Sequence, residues 1–156
     1  MMKINLLKKV VLLIILLGPC SSLNLSAHDG ATGVVKQRME AMSDMGDAMK
    51  AMASMVKGKQ AFEPALFIQS GETIAEHSDM MPKLFPAGSM VGKSEALPAI
   101  WQQWDDFVSL GYRTKTDAEK LVKMARDGTE LRPLTKQFVK LASNCKACHK
   151  DYRKKK

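Results

Sequence analysis

Residues 131–152 read LRPLTKQFVKLASNCKACHKDY, and the stretch Cys145-Lys146-Ala147-Cys148-His149 inside them decides the reading. Pro133 near the start suits a first helical turn, and Leu134, Phe138, Leu141, Cys145 and Cys148 recur on or near a common side, so the spacing predicts a helix over Leu131 to Tyr152. On that helix Cys145 and Cys148 are three residues apart and Cys145 and His149 four, which lets all three side chains serve one face. This is the attachment signature of a c-type haem. Two thioether bonds at the porphyrin edge hold the histidine beneath the iron as its proximal ligand. A thioredoxin-type pair would be expected beside a strand in an α/β pattern, which the sequence lacks. A structural zinc site needs a second ligand pair, and only His28 and His77 remain, at no matching spacing. A plain disulfide or dithiol stays open as the alternative, although it leaves His149 without a role.

Outward from this helix the pattern stays helical. From Thr32 to Lys57 there is no proline and one internal glycine, and Val35, Met39, Met42, Met45, Met49, Met52 and Met55 step by three and four residues. A second helix is predicted over 64–81, opened by Pro64 and stopped by Pro82, with Leu66, Phe67, Ile74 and Met81 as its apolar positions. Pro82 to Gly92 reads as a loop. Pro98 opens a third helix with Ile100, Trp101, Trp104, Phe107 and Val108, continuing or restarting at Thr116-Asp117 as far as Arg126, with Gly111 as the doubtful link. No alternation of strand type survives, so the fold class is all-α, four helices over 28–156 that bury their apolar faces most simply as a bundle.

Composition agrees with this. A chain of 156 residues has room for one domain with a full core, which excludes a two-domain enzyme. With 46% apolar residues, 10 Gly and 6 Pro it is not a disordered tail, and three cysteines are too few for a disulfide scaffold. No Ser/His/Asp set, paired metal-ligand helix or phosphate-binding glycine loop supports an enzyme.

The first residues are an address. Lys3, Lys8 and Lys9 precede an apolar run from Val10 to Leu17 that is too short to span a bilayer, and Leu25-Ser26-Ala27 offers a cleavage point. Residues 1–27 are therefore expected to be a signal peptide, removed on export. Cys20 raises lipid modification as a rival, which Pro19 immediately before it disfavours. Of the 24 Lys and Arg, cleavage removes three, leaving 21 against 16 acids and a charge of about +5. No nucleic acid partner and no stable membrane insertion after cleavage are expected.

The position of the motif adds to its content. In the common small cytochromes the haem motif lies near the N-terminus, whereas here it opens the last twelve residues. Taken with Arg38-Met39-Glu40-Ala41-Met42, Leu84-Phe85-Pro86, Leu97-Pro98-Ala99-Ile100-Trp101 and the following Tyr152-Arg153, it makes the chain resemble the cytochrome c′ family, the class II c-type cytochromes. The resemblance covers essentially all of the mature chain. It implies a left-handed antiparallel bundle around one covalent haem c, working in the bacterial periplasm with redox partner proteins.

The resemblance also assigns roles. It implies haem attachment through Cys145 and Cys148, iron ligation by His149, and a distal face set by Arg38 and Met42. Residues four apart share a helix face, so Met42 can reach iron while Arg38 meets a propionate. The other members of the methionine stripe are core filling, and Met42 has that reading too. Methionine at this position resembles the low-spin, methionine-ligated branch, an electron carrier; the alternative is five-coordinate iron that binds nitric oxide or carbon monoxide. Trp101 and Ile100 are expected to line the haem pocket and Arg153 to lie near its proximal side. His77 reads as a surface histidine, and Lys154 to Lys156 either steer acidic partners or are simply solvated. Relatives pair into homodimers through their first two helices, and small residues within Ala48 to Val56 permit such contact; a monomer stays open.

Overall fold

The computed structural model describes residues 30–155, and the expected signal peptide, Cys20 and His28 lie outside them. Five α-helices follow: α1 (Gly33–Val56), α2 (Pro64–Met80), α3 (Ala99–Gln102), α4 (Trp104–Arg126) and α5 (Leu131–Tyr152). The four long ones form an antiparallel bundle, in which α1 packs on α2, α2 on α4, α4 on α5, and α5 closes back on α1.

Each boundary has a local cause. Gly58, at φ +66°, turns the chain after α1 and donates its N–H to the Met55 carbonyl at 3.0 Å, a conformation that costs a residue without a Cβ little. Pro64 sits in the first turn of α2. At its far end Pro82 lies in a short 3₁₀ segment, Met81–Leu84, which takes in the last residue expected in the helix and the first three expected to be loop.

The third predicted helix departs from expectation. It breaks at Gln103, with φ −126° and ψ 48°, and not at Gly111 or Thr116. Gly111 is buried inside α4, where an added Cβ would meet only ordinary contacts with Ser78 and Met81. The break is stabilised from outside: the Tyr152 hydroxyl donates to the Gln103 side chain at 3.2 Å, so α5 holds the joint between α3 and α4.

Two apolar clusters fill the bundle. The first is built on Met52, Met55, Phe67, Leu121, Leu134 and Leu141, all essentially inaccessible to water. Each such side chain contributes about 1.5–3 kcal/mol by burial. The second surrounds Phe107, whose ring meets Phe85 at 4.9 Å and Tyr152 at 5.4 Å in edge-on contacts. The α1 stripe divides between them: Met52 and Met55 belong to the first, while Met42 packs on the second. Among the described residues there is no strand, only an antiparallel bridge between Ala96 and Arg153. That bridge, with Leu97 N–H to Tyr152 O at 3.0 Å and Lys154 N–H to Glu95 O at 2.8 Å, straps the α2–α3 connection across the end of α5.

Candidate functional site

A cleft of about 570 Å³ opens between α1, α5 and this strap, within the usual range for a cofactor site. From α1 come Arg38 and Met42, from α5 Cys148 and His149, and from the strap Arg153. Phe85, Ile100 and Phe107 supply an apolar floor. The helical period explains one pairing, since Arg38 and Met42 lie one turn apart on α1, whereas Arg153 is brought beside His149 by the extended backbone that follows α5.

The base of α5 is fixed just before the motif. Asp117 of α4 is buried and accepts hydrogen bonds from Asn144 at 2.8 Å and Gln137 at 3.1 Å, with the Lys140 ammonium 2.8 Å away. Burial alone would raise its pKa, but these donors outweigh it and hold the carboxyl below its usual range. Asn144 directly precedes Cys145, so the network sets the helix from which the motif projects.

The electrostatics of the motif separate the readings left open by sequence. Burial, with Cys145 and Asp151 nearby, pushes the Cys148 thiol up to about 11, and burial also raises Cys145. Burial thus disfavours the thiolate at both positions, whereas dithiol redox chemistry draws on a lowered thiol pKa. Among the described residues no three His, Cys, Asp or Glu side chains cluster to hold a metal ion. Burial and the Arg153 cation lower the pKa of His149 against an opposing effect of Glu95, which favours the neutral imidazole that ligates iron.

Arg38 supplies the test of fit for haem. It is only 5% exposed, its Nη2 donates to the Ser89 carbonyl at 2.5 Å, and its Nε and Nη1 are buried without a partner. A buried guanidinium with unspent donors on the wall of an apolar cleft suits the carboxylate of an otherwise apolar ring.

Trp101 packs against the apolar cluster that floors the cleft. It is half-buried outside the cleft lining and donates Nε1–H to the Phe85 carbonyl at 3.0 Å, which leaves Ile100 to face the cleft. Its role is to hold Phe85. Cys145 is half-buried one turn before His149 and is not part of the lining. His77 is partly exposed and pairs with Asp44 at 3.3 Å, away from the cleft. The sequence reading missed Glu95, which lines the cleft and holds Arg153 at 2.6 Å, and the corner at Ser89. Both lie in the irregular connection, where no periodicity marks an inward position.

Comparison with known proteins gives a consistent picture. The family model for cytochrome c′ matches residues 33–153. Cytochrome c-556 of Agrobacterium fabrum is 34% identical over 126 residues, covering 81% of this chain and 84% of its own. Cytochrome c′ of Rhodopseudomonas palustris is 35% identical over 126 residues, covering 80% and 84%. A solved structure of cytochrome c′ from Rhodopseudomonas palustris superposes with a TM-score of 0.74 at 34% identity, over 81% of this chain and 99% of that one. A nitric oxide complex of a variant cytochrome c prime from Alcaligenes xylosoxidans gives 0.71 at 29% identity, over 79% and 94%.

Proposed function

This chain belongs to the cytochrome c′ family and binds one covalent haem c, and on that basis we propose that it is a single-electron carrier with iron held between His149 and Met42. The observation that carries the reading is that Met42 and His149 line one cleft from different helices, α1 and α5. Bound haem supplies the one-electron iron couple. The chain's residues do the rest. Cys145 and Cys148 anchor the ring by thioethers, His149 offers a neutral nitrogen, and Met42 offers a soft sulfur that raises the potential. Phe85, Ile100 and Phe107 exclude water from the ring, and Arg38 balances a propionate. Held by His149 and Met42 together, the iron would exchange an electron with little rearrangement of these residues.

Cleavage after Ala27 would release the bundle to the periplasm, and no described helix is long and apolar enough to cross a membrane. Redox proteins are its partners, approached with the help of the basic α5. Pairing of two copies would use α1 and α2, where Ala48, Ala51 and Leu66 line an open groove.

A second reading is favoured by the nitric oxide complex of the Alcaligenes xylosoxidans protein: five-coordinate iron with Met42 as a packing residue, taking nitric oxide or carbon monoxide. The spin state of ferric and ferrous protein separates the two. The carrier reading expects a low-spin wild type that turns high-spin in Met42→Ala. A high-spin wild type, or a low-spin spectrum indifferent to the substitution, overturns it. A pyridine haemochrome assay on protein matured with haem-attachment machinery tests the covalent link itself.

A further inference from the structure

A glycine inside a helix weakens it, because glycine is among the poorest helix formers and gives up the most backbone freedom on folding. Gly46 stands in the middle of α1, and its backbone does not call for one. Gly30, Gly33, Gly58, Gly88, Gly92 and Gly128 all take positive φ, which Gly46 does not. Gly71 and Gly111 sit where α2 and α4 meet: an added Cβ would lie 2.6 Å from a Val122 methyl at the first and 3.6 Å from the Ser78 carbonyl oxygen at the second. A Cβ on Gly46 would meet nothing within 4 Å. Neither backbone conformation nor a described neighbour explains the missing side chain.

What Gly46 faces is the cleft. It is half-buried in the lining, and Arg38, Met42 and Gly46 follow at intervals of four residues, so they occupy successive turns on one side of α1. Met49 and Met52 turn instead toward the first apolar cluster. The cleft side of the helix thus carries a guanidinium, then a thioether, then a bare turn. In mid-helix the backbone N–H and C=O are spent on the helix itself, so this turn offers a neighbour only its two Cα hydrogens. Such a patch gives an anion or a polar ligand nothing to hold. It suits the face of a flat ring, and bare backbone is where a ligand comes closest to a chain.

We propose that Gly46 is a haem-contact residue: its bare turn seats the face of the ring turned away from His149 directly against the backbone of α1. This rests on the haem reading above and holds whether or not Met42 ligates the iron. A larger side chain at position 46 would stand between ring and helix and keep α1, with Met42, farther from the iron.

Proton NMR of the reduced holoprotein tests the seat. Reduced iron is diamagnetic when low-spin, and saturation with carbon monoxide makes it so when high-spin, so either coordination can be read. Protons over the face of an aromatic macrocycle move strongly upfield, and the Gly46 resonance is assigned by its disappearance from Gly46→Ala. The expected result is Gly46 α-protons well upfield of those of the other glycines. Shifts within the range of the other glycines, or downfield of it, overturn the proposal. Gly46→Leu sets packing against propensity. Leucine is the better helix former, so an idle position predicts a higher thermal midpoint for the holoprotein. A seated ring predicts a lower midpoint, and one that rises or stays overturns the proposal; if this variant does not mature, the wild-type α-proton shifts decide alone. Failure of the haem reading shows separately, as the absence of covalent haem in the pyridine haemochrome assay, and failure of the Met42 reading as a high-spin wild type.

Discussion

Asn144, the residue directly before Cys145, donates a 2.8 Å hydrogen bond to the buried Asp117 carboxylate on the neighbouring helix. The haem motif is thereby anchored to α4 by a polar network, not by apolar packing alone. Asp117 gathers Asn144, Gln137 and Lys140, so its loss leaves several donors without an acceptor.

Asp117→Asn should destabilise the bundle by about 1–3 kcal/mol at neutral pH. The sign with pH follows from the depressed folded pKa: the stabilisation is present above the unfolded carboxyl value of about 3.9 and is lost as pH falls through the lower folded value. Urea midpoints at pH 7 and pH 3 check this. The gap between wild type and variant should narrow at pH 3, and an equal gap at both would refute the account.

Gly71 lets α2 pack tightly against α4. A Cβ built there would lie 2.6 Å from a Val122 methyl, a short side chain with little freedom to yield. Gly71→Ala is expected to cost about 1–3 kcal/mol by overpacking, despite alanine's better helix propensity. In the double variant with Val122→Ala the added cost of the Gly71 change should largely vanish, as a thermal melt of all four proteins would show.

Glu95 and Arg153 form a half-exposed pair, so global stability should scarcely register its loss, with a change below about 1 kcal/mol in Glu95→Gln. The local effect is different. The pair closes the strap in which Leu97 N–H bonds Tyr152 O, and amide exchange at Leu97 should accelerate in the variant while amides of α4 keep their rates. Uniform acceleration would show that the strap is not a separate unit.

The exposed side of α5 carries Arg132, Lys136, Lys146 and Lys150, none paired with a carboxylate among the described residues. Electron exchange with an acidic protein acceptor should therefore slow with rising salt. Lys136→Glu/Lys150→Glu should slow it roughly tenfold at low ionic strength. Arg113→Glu/Lys120→Glu on α4, with the same change in net charge, should have a much smaller effect. Stopped-flow mixing decides, and equal slowing would mean that only total charge matters.

What the sequence determined by itself was whatever repeats along the chain. Methionines stepping by three and four residues, prolines at helix starts and Cys145-Lys146-Ala147-Cys148-His149 are local signals, so α1, α2 and α5 lie within a residue of where the pattern put them. What only the tertiary structure decided was which neighbour each residue meets. The break at Gln103 depends on Tyr152 49 positions away, and the exclusion of Trp101 from the cleft on the Phe85 carbonyl. The Arg38 corner depends on Ser89, 51 positions away in an irregular stretch. Periodicity records which face of a helix avoids water, because burial acts on each residue separately. A hydrogen-bond partner or counter-charge belongs to two residues at once, and their meeting is set by how the helices and their connections pack.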